Sequence, residues 1–513
     1  MELLQNLLEL FIYNPEKPML FNSGAFFLFF AIFIVIYTIF SKNKWFVSIY
    51  VIIFSLFFYY KSSGVYLLIL VLTTVTDFSF AFLLHRANKK FWRVFWMIMG
   101  VIPSLGLLAY FKYTNFILFN FSAIVQNNFS PLDIFLPIGI SFYTFQSVSY
   151  VLDVYWGKLK PTKNILDYAF FLSFFPQLVA GPIVKAHHFL PQLKMKRIVS
   201  KQALYSGVWL IMIGLFKKAV IADYISQYND LIFASPHTYS GFENLMAIYG
   251  YTLQIYLDFS GYSDMAIGLA RIMGFDLGIN FNFPYQAQNI TDFWRRWHIS
   301  LSTWLRTYIY IPLGGNRKGK IRQYINLMLT MLIGGLWHGA NWKFVFWGAL
   351  HGIGLAVHKS MSKILGKMPD NFFTKFISWF ITFHFVIFLW IFFRATDIDI
   401  ATSFPTFVNG MPAEIIKTET IDAFSVSWMM VKNVFTDFNP ALALHFVDVR
   451  LTWVIFVIIG FLMHTIPNKW NEKLIEYYVK SPYILKLILF IITVQLVVQF
   501  QNEDVQPFIY FQF

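Results

Sequence analysis

Apolar runs of near-bilayer length recur from one end of this 513-residue chain to the other, separated by short polar breaks. A spanning helix needs roughly 20 consecutive apolar residues. Candidate spans lie near 22–40, 45–60, 64–85, 94–112, 131–154, 165–184, 204–224, 244–272, 321–337, 341–358, 374–394, 452–467 and 482–500. Only 13% of the residues are charged, against roughly 25% in a soluble globular chain. A soluble core stops growing at about 250–300 residues and splits into units joined by polar linkers, and no composition shift marks such a joint here. The expectation is therefore an all-α polytopic membrane protein of about 11–13 transmembrane or re-entrant helices, with residues 1–513 forming one membrane-embedded domain. Leu3–Tyr13 reads as an interfacial amphipathic segment. Met1 to Pro18 lack the basic start and small-residue cleavage site of a signal peptide.

The net charge of +14 does not point to nucleic acid. Its lysines and arginines fall in short clusters between apolar runs, as cytoplasmic loops do under the positive-inside rule. Lys42–Lys44, Arg86–Arg93, Lys185–Lys201 and Arg295–Arg322 are such clusters. The polar stretch at 395–449 carries Asp397, Asp399, Glu414, Glu419, Asp422, Asp437 and Asp448 against Lys417 and Lys432, which places it outside. No cysteine is present, which excludes disulfides, thiolate metal sites and a cysteine nucleophile. Metal spacing such as HExxH is absent, and no metal is expected. No internal repeat of the kind common in secondary transporters is visible.

Three windows carry the chemistry. In DFWRRWHISLSTWLRTYIYIPLGGN, from Asp292 to Asn316, helical spacing puts Trp294, His298, Leu301 and Leu305 on one face. Arg295 and Arg306, three turns apart, share another, and Pro312 with Gly314–Gly315 ends the element. Such a helix suits an anionic ligand such as a phosphate-bearing acyl donor. It equally suits an amphipathic helix that snorkels its arginines to lipid phosphates. In GGLWHGANW, Gly334 to Trp342, an ionisable His338 lies within an apolar stretch among glycines that admit a ligand or another backbone. It reads as a proton acceptor or as a neutral histidine bonded between helices. In YLDFSGYSDMAIGLARIMGF, Asp258 and Asp264 line a polar interior, either for acid–base work or paired with Arg271 or another cation. His187, His188, His351, His358, His384, His445 and His464 lack a companion signature.

At these windows the chain resembles the membrane-bound O-acyltransferase family, in its bacterial alginate O-acetyltransferase branch. The resembling segments are LPIGISFYTFQSVSYVLDVYWG (136–157), FFPQLVAGPIV (174–184), the three windows above, GGLWHGANWKFVFWGALHG, FFR (392–394) and the terminal FIYFQF. They cover nearly the whole chain in order. The resemblance implies a multi-pass enzyme of the bacterial cytoplasmic (inner) membrane whose helices ring a central cavity. His338 is then the catalytic residue and His298 the second motif histidine of the same funnel. The donor is an acyl thioester, acetyl-CoA, with no permanently bound cofactor. Arg295, Arg296, Arg306 and Trp337 are the donor-binding candidates, and Asn341 joins Asp258 and Asp264 as cavity lining. Relatives in this branch hand the acyl group to a separate extracytoplasmic acetyltransferase that modifies a polysaccharide. Tyr510 is a candidate acyl relay through its phenolic oxygen, unless the terminal aromatics only anchor the chain end. Two other functions remain open: D-alanyl transfer to teichoic acid, and transport of a polysaccharide or lipid-linked sugar.

Overall fold

The computed structural model describes residues 9–127, 129–195, 199–364, 366, 369–408 and 411–500. Most of the expected amphipathic segment Leu3–Tyr13 lies outside them.

Helix follows helix, and many begin where a polar side chain takes up the free N–H groups of the first turn. Ser23 caps α1 (Gly24–Ile39) and Asn43 caps α2 (Lys44–Ser63). Gly64, at φ 60°, ends α2 and a short turn leads into α3 (Leu67–Arg86). Next come α4 (Lys90–Leu108), a π-helical turn at Ala109–Tyr113, and α5 (Thr114–Val125). Residues 131–138, expected within a span, are not helical; α6 runs from Ile140 to Tyr155. The expected span 165–184 is also broken, into α7 (Ile165–Ser173), α8 (Phe175–Leu178) and irregular chain before α9 (Ala186–Lys194). Then α10 (Lys201–Leu215) passes through a π-helical turn, Phe216–Ala222, into α11 (Asp223–Ala234). A capping box of Ser240 and Glu243 starts α12 (Gly241–Ile272).

The second half holds α13 (Ile290–Arg296), α14 (Ile299–Leu305), α15 (Lys320–His338), α16 (Trp342–Ile364) and α17 (Phe372–Arg394). An antiparallel hairpin follows, β1 (Ile398–Val408) on β2 (Met411–Ile421), with Ile398 opposite Ile421. It is the one sheet among the described residues. Asp422 then caps α18 (Ala423–Thr436); the Ser425 hydroxyl and the N–H groups of Phe424 and Ser425 hold its carboxyl below the usual range. The chain continues through α19 (Leu442–Val449), α20 (Leu451–Thr465), α21 (Asn468–Lys480) and α22 (Tyr483–Phe500).

Four helical stretches are long and apolar enough to cross a membrane unaided: Lys44–Arg86, Lys90–Val125, Phe372–Arg394 and Tyr483–Phe500. At 43 residues the first is about twice the bilayer core if straight, and it contains the break at Gly64. The α19–α20 pair passes together but bends by 91°. Longer interior helices fall short because they bury polar groups rather than because they are short. Helix α12 has 32 residues and buries Thr252, Gln254, Asp258, Ser260 and Ser263.

The tightest helix pair is built on glycine. Gly207 and Gly214 of α10 face Gly268 and Gly261 of α12, two turns apart on each helix. A Cβ at Gly214 would sit 2.5 Å from the Gly261 carbonyl oxygen, and one at Gly268 would sit 2.6 Å from that of Gly207. Without side chains the two backbones touch along both turns. Gly214→Leu is therefore expected to destabilise the protein by about 1–3 kcal/mol or more. Thermal unfolding of the detergent-purified variant, followed by tryptophan fluorescence, measures this; an unchanged melting temperature contradicts it.

All four basic clusters gather at one end of the bundle. Lys44 donates to the Lys194 carbonyl (3.1 Å), Arg93 to the Tyr155 carbonyl (2.9 Å) and Lys185 to the Thr307 hydroxyl (3.0 Å). At the other end, Arg394 pairs with Asp230 (2.6 Å) and the Gly241 N–H donates to the Asp437 carbonyl (2.8 Å). These contacts fasten the segment after α17 to that end.

Candidate active site

The window at 292–316 is not one helix. Trp297 is extended (φ −96°, ψ 128°) and His298 is left-handed (φ 41°, ψ 58°), so the chain breaks between α13 and α14. The expected shared face of Trp294 and His298 therefore does not form. What stabilises the break is the extended chain before it. The Asn282 N–H donates to the Arg296 carbonyl and the Ile299 N–H to the Asn280 carbonyl, both at 2.9 Å, so the interrupted backbone groups stay bonded.

Asn280 also sets the histidine. Its amide nitrogen donates to Ser263 Oγ (3.1 Å), which leaves Oδ1 to accept from the Ser300 hydroxyl (2.9 Å) and from His298 Nδ1 (3.2 Å). That assigns the His298 proton to Nδ1 and a lone pair to Nε2. Nε2 is buried and has no hydrogen-bond partner among the described residues.

His338 is the last residue of α15 and is buried under aromatic rings, with Trp337 and Trp347 at 5.0 Å and Phe393 at 5.2 Å between centroids. The last carbonyls of a helix need donors. Here they come from the π-helical turn at Ala109–Tyr113. Lys112 Nζ donates to the carbonyls of Trp337 (2.6 Å) and His338 (3.0 Å), and the Tyr113 hydroxyl to that of Leu336 (2.8 Å). A cation at this end also suits the helix dipole. Gly335 and Gly348 let α15 and α16 pack backbone to backbone, against the Phe344 and Met331 carbonyls, so these glycines serve packing around His338.

His351, set apart in sequence from the motif histidines, belongs to the same cluster. It is buried on α16, its Nδ1 accepts the Trp294 indole N–H (3.3 Å), and its ring lies 4.4 Å from Trp347. Trp347 thus touches both His338 and His351. His298 joins through Trp337, 5.8 Å away.

Two cavities approach this cluster. One, of about 410 Å³, is lined by Trp294, Arg295, Arg306, Met331, Leu355 and Lys359 among others. It shares Arg306, Tyr310 and Lys359 with an outer cavity of about 530 Å³ that adds Arg317 and Lys318. The second, about 190 Å³, is lined by Lys112, Ser141, Phe142, Trp337 and His338, with Tyr13 and residues 135–140 at its mouth.

Arg295 and Arg306 therefore share one basic cavity, though on separate helical pieces. Arg296 does not join them, since Asp292 holds it at 2.9 Å. Trp337 lines the other cavity and spends its indole N–H on the Ser141 carbonyl (3.4 Å). Asn341 lies exposed at the turn into α16, where its side chain accepts the Lys343 N–H, and it lines neither cavity. Asp258 and Asp264 line none of these cavities either. They pair with Lys218 (2.5 Å) and Lys217 (2.6 Å), not with Arg271, which donates to Ser206. Tyr510 lies outside the described residues. Among the described residues no group of three or more His, Asp or Glu stands close enough to hold a metal ion.

Residues 160–401 match the membrane-bound O-acyltransferase family. The peptidoglycan O-acetyltransferase of Helicobacter pylori is 41% identical over 388 residues, 71% of this chain and 73% of that protein. The chain belongs to the membrane-bound O-acyltransferase family. The probable alginate O-acetylase AlgI of Pseudomonas aeruginosa is 42% identical over 390 residues, covering 75% of this chain and 73% of its own. The teichoic acid D-alanyltransferase of Bacillus subtilis is 30% identical over 275 residues, 51% of this chain and 70% of that one. This membrane-bound O-acyltransferase carries all three buried histidines of the cluster, and both cavity arginines, within the matched region. Lys112 lies before it. A lone lysine in the apolar run LLAYFKYTNF is the signal that could have singled it out.

Proposed function

We propose that this acyltransferase takes an acetyl group from acetyl-CoA at its basic end and delivers it to a hydroxyl arriving at the His338 end. The observation that carries this reading is the pair of separate cavities, with no lining residue in common, that approach one histidine cluster. The donor-side cavity holds Arg295, Arg306 and Lys359 and continues to Arg317 and Lys318, a cationic path suited to phosphates. Met331 lines it seven residues before His338, about 10 Å along the helix. The acceptor-side cavity contains His338 itself.

His338 takes the proton of the attacking hydroxyl as general base. The thioester is already activated, so the step needs no covalent enzyme intermediate. The basic end faces the cytoplasm of a bacterial inner membrane under the positive-inside rule. Acetyl then leaves on the far side for O-acetylation of a cell-surface polysaccharide, by way of an extracytoplasmic transferase. The names of the Helicobacter and Pseudomonas relatives support an acetyl group on a glycan.

Base-labile acetate and D-alanine in envelope polymers, compared between cells with and without the protein, test the acyl group. Loss of acetate alone supports the reading, and loss of D-alanine alone replaces it with teichoic-acid transfer. Unchanged levels of both favour a transporter. For the donor, Arg306→Glu in reconstituted vesicles should raise KM for acetyl-CoA by about tenfold or more with kcat within about threefold, the pattern of lost uniform binding. An unchanged KM removes the phosphate-binding role.

A further inference from the structure

The cluster holds buried hydrogen-bond donors that no group among the described residues satisfies, and two of them lie on Trp347, which packs on His338, and on His351, which packs on Trp347. Trp347 is fully buried and its indole N–H has no acceptor among the described residues. His351 receives the Trp294 indole N–H on Nδ1, so its own proton is on Nε2. That Nε2–H is likewise buried without an acceptor among the described residues. The two rings are in edge contact at 4.4 Å, and Trp347 packs edge-on against His338 at 5.0 Å. Burying a donor with nothing to accept its proton is costly, and here two such donors sit on touching rings, one of which packs on the candidate base. His298 is the converse case, since Asn280 leaves its Nε2 a lone pair.

We propose that Trp347 Nε1–H and His351 Nε2–H are the donor pair that holds the thioester carbonyl oxygen and the negative charge it develops. This rests on the acyl-transfer reading above and adds two catalytic residues to it. The acceptor's hydroxyl oxygen forms the new C–O bond while the carbonyl π pair moves onto oxygen, between the two donors. The hydroxyl proton passes to His338. The C–S bond then breaks as the carbonyl re-forms, and the thiolate leaves with that proton. Donors fixed by packing need no reorganisation as the charge appears. Trp297 and Trp390 also bury indole N–H groups without acceptors among the described residues, but among those residues neither ring touches His338 or His351, whereas Trp347 touches both.

The test removes one N–H and keeps the ring. Benzothienylalanine, which has sulfur in place of the indole N–H, is incorporated at 347 and, as a packing control, at 390. In reconstituted protein with acetyl-CoA, the change at 347 should lower kcat by about 10²-fold, with KM within about threefold. The control should stay within about threefold of wild type. His351→Gln, which keeps an N–H donor, should retain more kcat than His351→Phe, and it carries the test if the 347 variant does not fold. A kcat at 347 within about threefold of wild type overturns the donor pair while leaving the acyl-transfer reading intact. Equal losses at 347 and 390 overturn it as well, since packing would then account for both. Wild-type protein that moves no acetyl overturns both.

Discussion

His338→Ala is expected to lower acetyl transfer by about 10²–10⁴-fold, the range of a lost general base, while the protein still accumulates in the membrane. The ring sits at a helix end whose carbonyls are held by Lys112 and Tyr113 through main-chain acceptors, so that framework survives loss of the imidazole. The packing against Trp337, Trp347 and Phe393 is reduced. His338→Gln fills more of the space and should be equally inactive, which separates proton transfer from packing. Base-labile acetate in envelope polysaccharide, at matched membrane abundance, is the readout. Acetate at the wild-type level in either variant would show that His338 is not the base.

The second large effect is on stability. Lys218 lies fully inside the bundle, 2.7 Å from Asp223 and 2.5 Å from Asp258. Its neighbour Lys217 reaches Asp264 at 2.6 Å. Consecutive residues of a regular helix point about 100° apart, yet both lysines reach one helix, α12. The π-helical turn at Phe216–Ala222 makes this possible by adding a residue to the turn. Lys218→Met leaves two buried carboxyl groups without their cation, and about 3–5 kcal/mol of stability should be lost. Adding Asp223→Asn and Asp258→Asn removes the uncompensated charge and should restore much of the melting temperature. Thermal unfolding of the single and triple variants decides it. A triple variant no more stable than Lys218→Met means that repulsion between stranded carboxylates was not the cause.

Much of the architecture was legible because a bilayer admits so few solutions. Helices stand at the expected spans, with 131–154 starting late and 165–184 broken. Two windows of the candidate site were legible because His338 and the arginines of 292–316 are ionisable groups where apolar residues are the rule. What escaped was each feature created by a break in helical periodicity. The π-helical turns at Ala109–Tyr113 and Phe216–Ala222 each carry basic side chains that reach the interior: Lys112, and the Lys217–Lys218 pair. A strict period of 3.6 aims these residues elsewhere.

The left-handed residue at His298 is a further instance. Regular spacing placed it on the Trp294 face, whereas Asn280, eighteen residues earlier, fixes both the break and the ring's protonated nitrogen. His351 shows the same limit, since nothing local distinguishes it from His358 or His384. By itself the sequence determined the solvent, the helical class and the residues too polar for their surroundings, because transfer of each group into lipid has a cost that can be read locally. Which of those polar groups meet, which nitrogen carries a proton and which donor is left without an acceptor were decided by tertiary structure alone. Those properties depend on partners from distant helices, where a shift of one residue around a turn sends a side chain to a different neighbour.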